Sequence, residues 1–313
     1  MKTPERRKRK SFLLDDDNDQ KKSSEAIYTT QDSKTLSNKY RAVQINSTKI
    51  EDEIRSHSEL KKQYEIILNK SGNNASVSLS DLYYEFKPPV MNKVYEFVSA
   101  TEYIRNNVKF NLDKNGRLRN ISNKEELFQN WTEFKKKDLK TIDFITSLKK
   151  DNKSQYDQIL KEGDQQFSTS NNLMELDYQR DLVYMILFDK HITAPNLSNI
   201  APEEYIYTSQ LFPRVKVPMT IRYDVIEDND NFTTIRKVAD SILNEKLLKE
   251  IEEQYNTLHK PLIKYSFTEY KLTFRTRYTV DKNTRIINDA DLTIIEDIEH
   301  NIQTTCKFNL KKL

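Results

Sequence analysis

Residues 108–137 constrain the fold of this chain more than any other stretch. The first five alternate apolar and polar side chains, which is the pattern of a strand with one buried face. The next four residues, DKNG at 113–116, predict a tight turn, because Asn-Gly supplies the positive φ that a hairpin needs. Leu118 and Ile121 belong to a returning strand, so an antiparallel hairpin is expected here.

A helix is expected directly after this hairpin. Ser122 and Glu125 have the spacing of a capping box, in which each side chain bonds a free backbone N–H of the first turn. Leu127, Trp131 and Phe134 follow at helical spacing and predict one apolar face. Turn, cap and apolar face support one another as a hairpin followed by an amphipathic helix.

Residues 276–291 repeat part of this pattern. The sequence TVDKNTRI resembles NLDKNGRL, with Thr284 in place of the glycine, so a looser turn or a turn of another type is expected. Two explanations remain open. A good turn composition arose twice, or the chain contains two structurally similar β lobes separated by helices.

The order of the patterns predicts an α+β fold with antiparallel strands, in one sheet or two smaller ones, and a central helical segment. Helices are expected at 47–69, 139–149, 156–167, 173–191 and 243–258. Strands are expected at 77–86, 217–226, 232–239, 265–280, 285–295 and 304–310, and a short extended piece or helical turn at 95–98.

The expected domain organisation has three parts. Residues 1–40 are a disordered charged tail, 41–200 a hairpin plus helical region, and 201–313 an antiparallel β region with one helix. Residues 193–218 carry four prolines and are expected to form a loop at the boundary. In the tail, the basic run 6–10 is a nuclear import signal, a weak contact for an acidic surface, or a solvated segment beside the acidic run 15–19.

Composition excludes several classes of function. The chain has 3 glycines in 313 residues, too few for glycine-rich phosphate loops or dinucleotide fingerprints. Lys+Arg 51 against Asp+Glu 48 gives a net charge of +3, which does not suggest a general nucleic-acid binder. No signal peptide and no apolar run long enough to span a membrane is recognised, so a cytoplasmic protein is expected, with a nuclear location open for a eukaryote.

No motif predicts catalytic, cofactor-binding or metal-binding residues, and no cofactor is expected. The lone cysteine, Cys306, is expected to be a small buried apolar residue without a nucleophile signature. The loop 227–231 lacks the calcium pattern, and the neighbouring carboxylates at 203–204 and 252–253 point apart. Four histidines have no metal spacing and are expected at the surface, namely His57, His191, His259 and His300.

The C-terminal strands interleave bases with aromatic residues. The bases are Lys264, Lys271, Arg275 and Arg277, and the aromatics are Tyr265, Phe267, Tyr270, Phe274 and Tyr278. Such a composition can form a nucleic-acid platform. Strand alternation favours the other arrangement, with the aromatics in the core and the bases in water.

On the DKNG hairpin, the Trp131 helix and the DKNT strands, residues 75–313 resemble uncharacterised intracellular α+β proteins of low-GC Bacteroidota. Some of those look like accessory products encoded beside phage-tail-like injection systems, which implies an adaptor or chaperone role. The first hypothesis is therefore a non-enzymatic, protein-binding adaptor. The alternatives are an enzyme whose site is assembled from dispersed residues and a nucleic-acid binder that uses the basic aromatic sheet.

Overall fold

The computed structural model describes residues 35–70 and 73–313. The expected tail at 1–40 lies outside the described residues up to residue 34, and from Thr35 onward the chain is β-strand. Part of the expected chain break near residue 72 also lies outside them. Among the described residues, none of the helices has the length and apolar character needed to cross a membrane.

In the part of the chain that the structure describes, eleven strands form one antiparallel sheet. They are β1 (Thr35–Ile50), β2 (Glu53–Asn69), β3 (Asn74–Lys87), β4 (Val108–Leu112), β5 (Leu118–Ile121), β6 (Glu203–Thr208), β7 (Lys216–Asp228), β8 (Phe232–Ser241), β9 (Tyr270–Asp281), β10 (Ile287–Ile298) and β11 (Ile302–Lys312). The spatial order is β5-β4-β3-β2-β1-β11-β10-β9-β8-β7-β6. Strands from both predicted β regions therefore belong to one continuous surface, and the predicted α+β class is confirmed.

Among the described residues, the helices lie in three insertions, between β3 and β4, between β5 and β6, and between β8 and β9. They are α1 (Val90–Ile104), α2 (Lys124–Lys136), α3 (Asp143–Asp151), α4 (Lys153–Gln166), α5 (Leu173–Arg180), α6 (Leu182–Leu187), α7 (Glu245–Leu258) and α8 (Lys260–Ile263). Short 3₁₀ helices occupy Leu139–Thr141 and Lys190–Ile192. The predicted helix around Trp131 is confirmed as α2, where the buried indole stacks on Phe167 with ring centroids 5.1 Å apart.

The predicted helix at 47–69 is wrong, because this stretch is the β1–β2 hairpin. Tyr64, Ile66 and Leu68 are buried and alternate with exposed side chains, which is the period of a strand. The turn contains no glycine or asparagine. Glu51 instead takes a positive φ of 53° and donates its N–H to the Asn301 carbonyl. The glycine or asparagine that usually marks such a turn is therefore absent from the sequence.

Two predicted helix details also differ. The capping box does not form: α2 begins after Asn123, and the Ser122 hydroxyl donates to the Lys109 carbonyl across the hairpin. The predicted helix at 173–191 divides into α5, α6 and the 3₁₀ helix, because Asp181 takes an extended backbone and its side chain caps the N–H of Val183.

The sequence patterns did not predict one helix and one strand. Residues 95–98 are part of the full helix α1, which begins directly after a pair of prolines. Strand β6 lies inside the proline-rich stretch 193–218 that was expected to be a loop. Its six residues, EEYIYT, begin with two carboxylates. One of them, Glu203, points inward because it pairs with Arg117, so only a short stretch of the strand alternates apolar and polar side chains.

The sheet curls until its two ends meet. Arg117, in the turn between β4 and β5, reaches Glu203, the first residue of β6, with Nη2 and Oε1 2.5 Å apart. These residues belong to opposite ends of the strand order. The concave face encloses α5 and α6, where Phe110 of β4 contacts Phe188 with ring centroids 5.0 Å apart. The core therefore lies inside the curl, and the convex face carries exposed polar side chains.

Candidate binding groove at the seam of the sheet

The outer edges of the two end strands, β5 and β6, differ in whether their backbone N–H and C=O groups have hydrogen-bond partners. At β5, two side chains of α5 take the place of a neighbouring strand. Glu175 accepts the Ile121 N–H at 3.3 Å, and the Gln179 amide donates to the Leu118 carbonyl at 3.0 Å. The two α5 residues are four apart and share one helix face, so α5 covers this edge.

At β6 the edge is directed into the seam. Ile206 lies opposite Pro218 of β7, and the Pro218 carbonyl accepts the Ile242 N–H on the side of β8. In an antiparallel pair, residues opposite each other either both bond across the pair or both point away. Glu204, Ile206 and Thr208 therefore direct their main-chain N–H and C=O groups away from β7. No hydrogen bond within residues 35–70 and 73–313 satisfies those groups.

Two cavities run along this edge. The first has a volume of about 300 Å³ and is lined by Glu203, Glu204 and Tyr205, and the second, of about 350 Å³, by the four consecutive residues 205–208. A cavity over one face of a strand contacts alternate residues, whereas a cavity beside its edge contacts consecutive ones. The two cavities share Met185, Tyr205 and Phe274 and together define the seam groove.

The walls of the seam groove come from distant parts of the chain. Residues of α5 and α6, with the Asp181 that joins them, face β6 across the groove, and the concave face of the sheet supplies the floor. The apolar lining includes Tyr178, Leu182, Tyr184, Met185, Phe188, Phe274, Ile294 and Cys306. The polar rim includes Gln44, Gln179, Arg180 and Gln210. This is the mixed lining expected of a binding site, apolar with a few polar groups.

One end of the groove is closed by a set of ion pairs that we call the seam lock. Asp189 is almost fully buried, and its carboxylate accepts hydrogen bonds from Arg117 Nε at 2.7 Å and from Lys237 Nζ at 2.8 Å. The Glu203 carboxylate accepts a hydrogen bond from the Tyr223 hydroxyl at 2.6 Å and pairs with Lys190 Nζ at 3.0 Å, in addition to its ion pair with Arg117. Three basic side chains thus share two carboxylates.

The seam lock keeps its carboxylates ionised. Burial alone would raise the pKa of Asp189, but Lys237 and Arg117 outweigh it and hold that pKa well below its usual range. The pKa of Glu203 is likewise lowered, since hydrogen bonds from Arg117, Tyr223 and Lys190 outweigh the effect of burial. Both groups stay charged at neutral pH, which suits a structural ion pair and not a general acid.

A buried carboxylate on β10 fixes the other end of β6. Glu296 is fully buried and accepts the main-chain N–H groups of Gln210 and Leu211 at 2.8 and 3.3 Å. Its oxygens also accept hydroxyl protons from Tyr207, Ser209 and Tyr270. This Glu296 anchor holds the β6–β7 loop against the concave face, so β6 is fixed at both ends while its edge faces the groove.

The expectation of surface histidines is wrong for His191, which is 1% exposed and lies against Tyr278 with ring centroids 5.6 Å apart. It follows Asp189 by two residues, so the turn that places the seam lock carries it inward. Burial lowers the pKa of His191 to about 4, because the charged imidazolium would lose its water. His300 is exposed, and His259 contacts the Leu211 carbonyl at 3.1 Å.

The expectation of a buried Cys306 is confirmed, whereas residues 203–204 belong to a strand and not to the expected loop. Cys306 is buried on β11, and burial raises the pKa of its thiol to about 11, so the thiolate that reacts is scarce at neutral pH. Glu203 belongs to the seam lock and is half-buried, whereas Glu204 is exposed, because successive side chains of a strand point to opposite faces. Residues 229–231 form the β7–β8 hairpin loop. Among the described residues, no group of three His, Cys, Asp or Glu side chains could hold a metal ion.

The basic aromatic strand β9 follows the alternation that was expected. Tyr270, Phe274 and Tyr278 are buried in the core, whereas Arg275 and Arg277 are exposed on the convex face. The aromatic rings are therefore not presented for base stacking. Acidic side chains stand opposite several of the bases, with Asp291 facing Arg277 and Asp297 facing Lys271 across β10.

Sequence reasoning missed the seam lock. The turn DKNG was recognised, but its following residue, Arg117, was not recognised as functional, since its acidic partners lie 72 and 86 residues away. Lys237 offered a weak signal. It occupies an inward position of β8 between Ile235 and Ala239, where an apolar residue would be the default.

No protein-family model and no curated protein matches this chain. A solved structure described as "Lipid-protein interactions in lipovitellin" is similar at 12% sequence identity with a TM-score of 0.43. The similarity covers 90% of this chain and 25% of that chain, so the present chain spans about a quarter of its length. A similarity of this size is too weak to carry function from one protein to the other.

Proposed function

We propose that this chain is a non-enzymatic intracellular binding protein that holds a segment of another protein in the seam groove, as an adaptor does. The observation that carries the proposal is the groove itself, which runs the length of β6 and joins two cavities of about 300 and 350 Å³. An accessory or chaperone role beside a phage-tail-like secretion system, which the sequence resemblance implies, is one setting for such binding.

The groove is built to receive a ligand without rearranging. The Glu296 anchor and the seam lock hold both ends of β6, and β7 holds one of its edges. A rigid site loses little conformational entropy on binding, so more of the contact energy remains as affinity. The apolar floor supplies contact area, and the polar rim supplies orientation.

The enzyme alternative is favoured by one observation, the cluster of ionisable groups beside the first cavity. The geometry of the seam lock favours a structural role for this cluster. Each carboxylate is bound by two basic side chains, and both pKa values are lowered, away from the range of a general acid or base at neutral pH. The cluster joins the two ends of the sheet, and this structural role accounts for its charged groups without catalysis.

The test is capture of the partner by the full chain, in cells that encode it, with and without a charge in the groove. Leu182→Glu places a carboxylate among the apolar wall residues at the first turn of α6, where a helix tolerates it. The matched control is Leu262→Glu on α8, a leucine that is 75% exposed and lines neither cavity of the groove.

The proposal predicts that a protein captured by the wild-type chain and by Leu262→Glu is lost with Leu182→Glu, while circular dichroism shows all three folded. A partner that is retained equally by Leu182→Glu would contradict binding in the groove. Capture of no protein by the wild-type chain would contradict the adaptor proposal as a whole, and a reaction product released from a metabolite extract would establish the enzyme alternative.

A further inference from the structure

We infer that the partner binds as an added β-strand, pairing antiparallel with the open edge of β6 as a twelfth strand of the sheet. This inference rests on the proposed function and specifies how the partner is held. The occupant is an extended segment of another protein with apolar side chains at alternate positions and a basic side chain near its carboxyl end.

The backbone of β6 supplies the pairing groups. Glu204, Ile206 and Thr208 direct three N–H and three C=O groups into the seam, by the register of the β6–β7 pair. Such a row of unpaired groups is a template for another strand. Elsewhere this protein closes comparable edges with side chains: α5 covers β5, and the Asn106 amide bonds both the N–H and the C=O of Leu79 on β3. Against that background, the uncovered edge beside a groove is a binding feature.

The faces of β6 define the side chains of the occupant. Tyr205 and Tyr207 point into the protein, so the residues opposite them on an added strand share that face and enter the cavities beside Met185 and Phe274. These positions call for aliphatic or aromatic side chains. Ile206 is 61% exposed on the other face, and a β-branched side chain opposite it would cover part of its exposed apolar surface.

The antiparallel sheet sets the direction of the occupant, and the charge of Glu204 supplies one contact at its carboxyl end. The Glu204 carboxylate stands exposed on the outer face, and among the described residues it has no ion-pair partner. A lysine or arginine directly opposite it would form a cross-strand pair. Every pairing in the sheet is antiparallel, so we place the carboxyl end of the occupant at Glu204 and its amino end at Thr208.

The probe is the acetylated, amidated peptide STVILKS, which sets Lys opposite Glu204, Ile opposite Ile206 and Thr opposite Thr208, with Val and Leu turned inward. Its affinity for the full chain is measured by calorimetry. Two N-methylated forms separate the edges of the peptide: one is methylated at Thr, Ile and Lys, whose N–H groups face β6, and the other at Val and Leu, whose N–H groups face away.

On the protein side, Ile206→Pro removes one N–H from the seam, whereas Ile206→Val keeps it. Because the Ile206 N–H points away from β7, the proline removes no bond of the existing sheet, and edge strands tolerate proline at such positions. The two variants differ in the edge donor while both replace the exposed isoleucine.

Strand addition predicts at least tenfold weaker binding for the peptide methylated at Thr, Ile and Lys, and for Ile206→Pro, with less than threefold change for the other peptide and for Ile206→Val. Equal weakening by both methylation patterns, or full binding to Ile206→Pro, would overturn strand addition and leave the proposed function standing if capture still depends on Leu182. Should Ile206→Pro not fold, the methylated peptides decide the matter alone. Failure of STVILKS to bind the wild-type chain also overturns this occupant.

Discussion

Arg117 and Glu203 join the two ends of the curled sheet, with Nη2 and Oε1 2.5 Å apart although the residues are 86 positions apart in the chain. Arg117 also bonds the buried Asp189, so one guanidinium ties a turn, a loop and an edge strand together. The ion pairs therefore determine where β6 begins, and the position of β6 determines the seam groove.

The first prediction concerns this contact. Arg117→Leu should lower the free energy of unfolding by about 2 kcal/mol, because it leaves Asp189 and Glu203 with one basic partner fewer in a largely buried site. The loss is moderated because Arg117 itself is about one-third exposed. Urea unfolding measures the change. The control Arg222→Leu breaks an exposed pair with Asp240 and should cost less than about 1 kcal/mol; equal losses would contradict a structural role for the seam lock.

The second prediction concerns the Glu296 anchor. Glu296→Gln should destabilise the protein by about 2 to 3 kcal/mol, because an amide nitrogen cannot accept the N–H groups and hydroxyls that the carboxylate receives. Glu299→Gln is the matched control, since Glu299 forms an exposed pair with Lys271. Chemical denaturation compares the two, and a loss in Glu299→Gln as large as in Glu296→Gln would argue against the anchor.

The third prediction runs against helix propensity. Gly163→Ala lies within α4, where alanine ordinarily gains about 1 kcal/mol over glycine. Here the added Cβ would overlap the Trp131 indole, so we expect a net loss of about 1 to 3 kcal/mol and a shift of the single tryptophan's fluorescence. Ser154→Ala in the same helix carries no such clash. A stabilised Gly163→Ala would show that Trp131 can move at little cost.

The fourth prediction is a pH dependence. The pKa of His191 is lowered from 6.5 to about 4 by burial, with Asp189, Lys237 and Arg285 as charged neighbours. Between these values the unfolded chain binds a proton that the folded chain does not, so stability falls as pH falls from 6.5 to 4. The full effect is about 3 kcal/mol.

The variant His191→Phe keeps the ring against Tyr278 and should lack this component, so its stability should depend less on pH over that window. His300→Asn, at an exposed residue with a positive φ that asparagine accepts, should behave like the wild type. The difference between wild type and His191→Phe at pH 7 and pH 4.5 is the measurement; an identical pH profile would show that His191 gains a proton without cost.

The sequence predicted well where local signals agree. DKNG marked the first hairpin, and Asp113 indeed accepts the N–H groups of Asn115 and Arg117 in that turn. DKNT marked the second, where the positive φ moves one residue on, to Arg285, so the turn differs as expected. The convex and concave sides of β9 also followed from alternation alone.

Predictions from the sequence were wrong or absent where an element is positioned by contacts between residues far apart in the chain. The β1–β2 hairpin turns at Glu51 and Asp52 without a glycine or asparagine, and its mixed charges resembled an exposed helix. Strand β6 is too short to show a period, and it owes its place to Glu203 and Glu296, whose partners come from other elements. Apolar periodicity cannot reveal a strand that is positioned by ion pairs.

The most direct test of the central claim is hydrogen exchange of the full chain at the β6 amides, with and without the captured partner. Strand addition at β6 predicts that the amides of Glu204, Ile206 and Thr208 exchange rapidly in the free protein and become protected on binding. The amides of Tyr205 and Tyr207, which are bonded to β7, should be protected throughout. Protection that appears instead on the convex face, or Glu204, Ile206 and Thr208 amides already protected in the free chain, would contradict a partner strand in the seam groove.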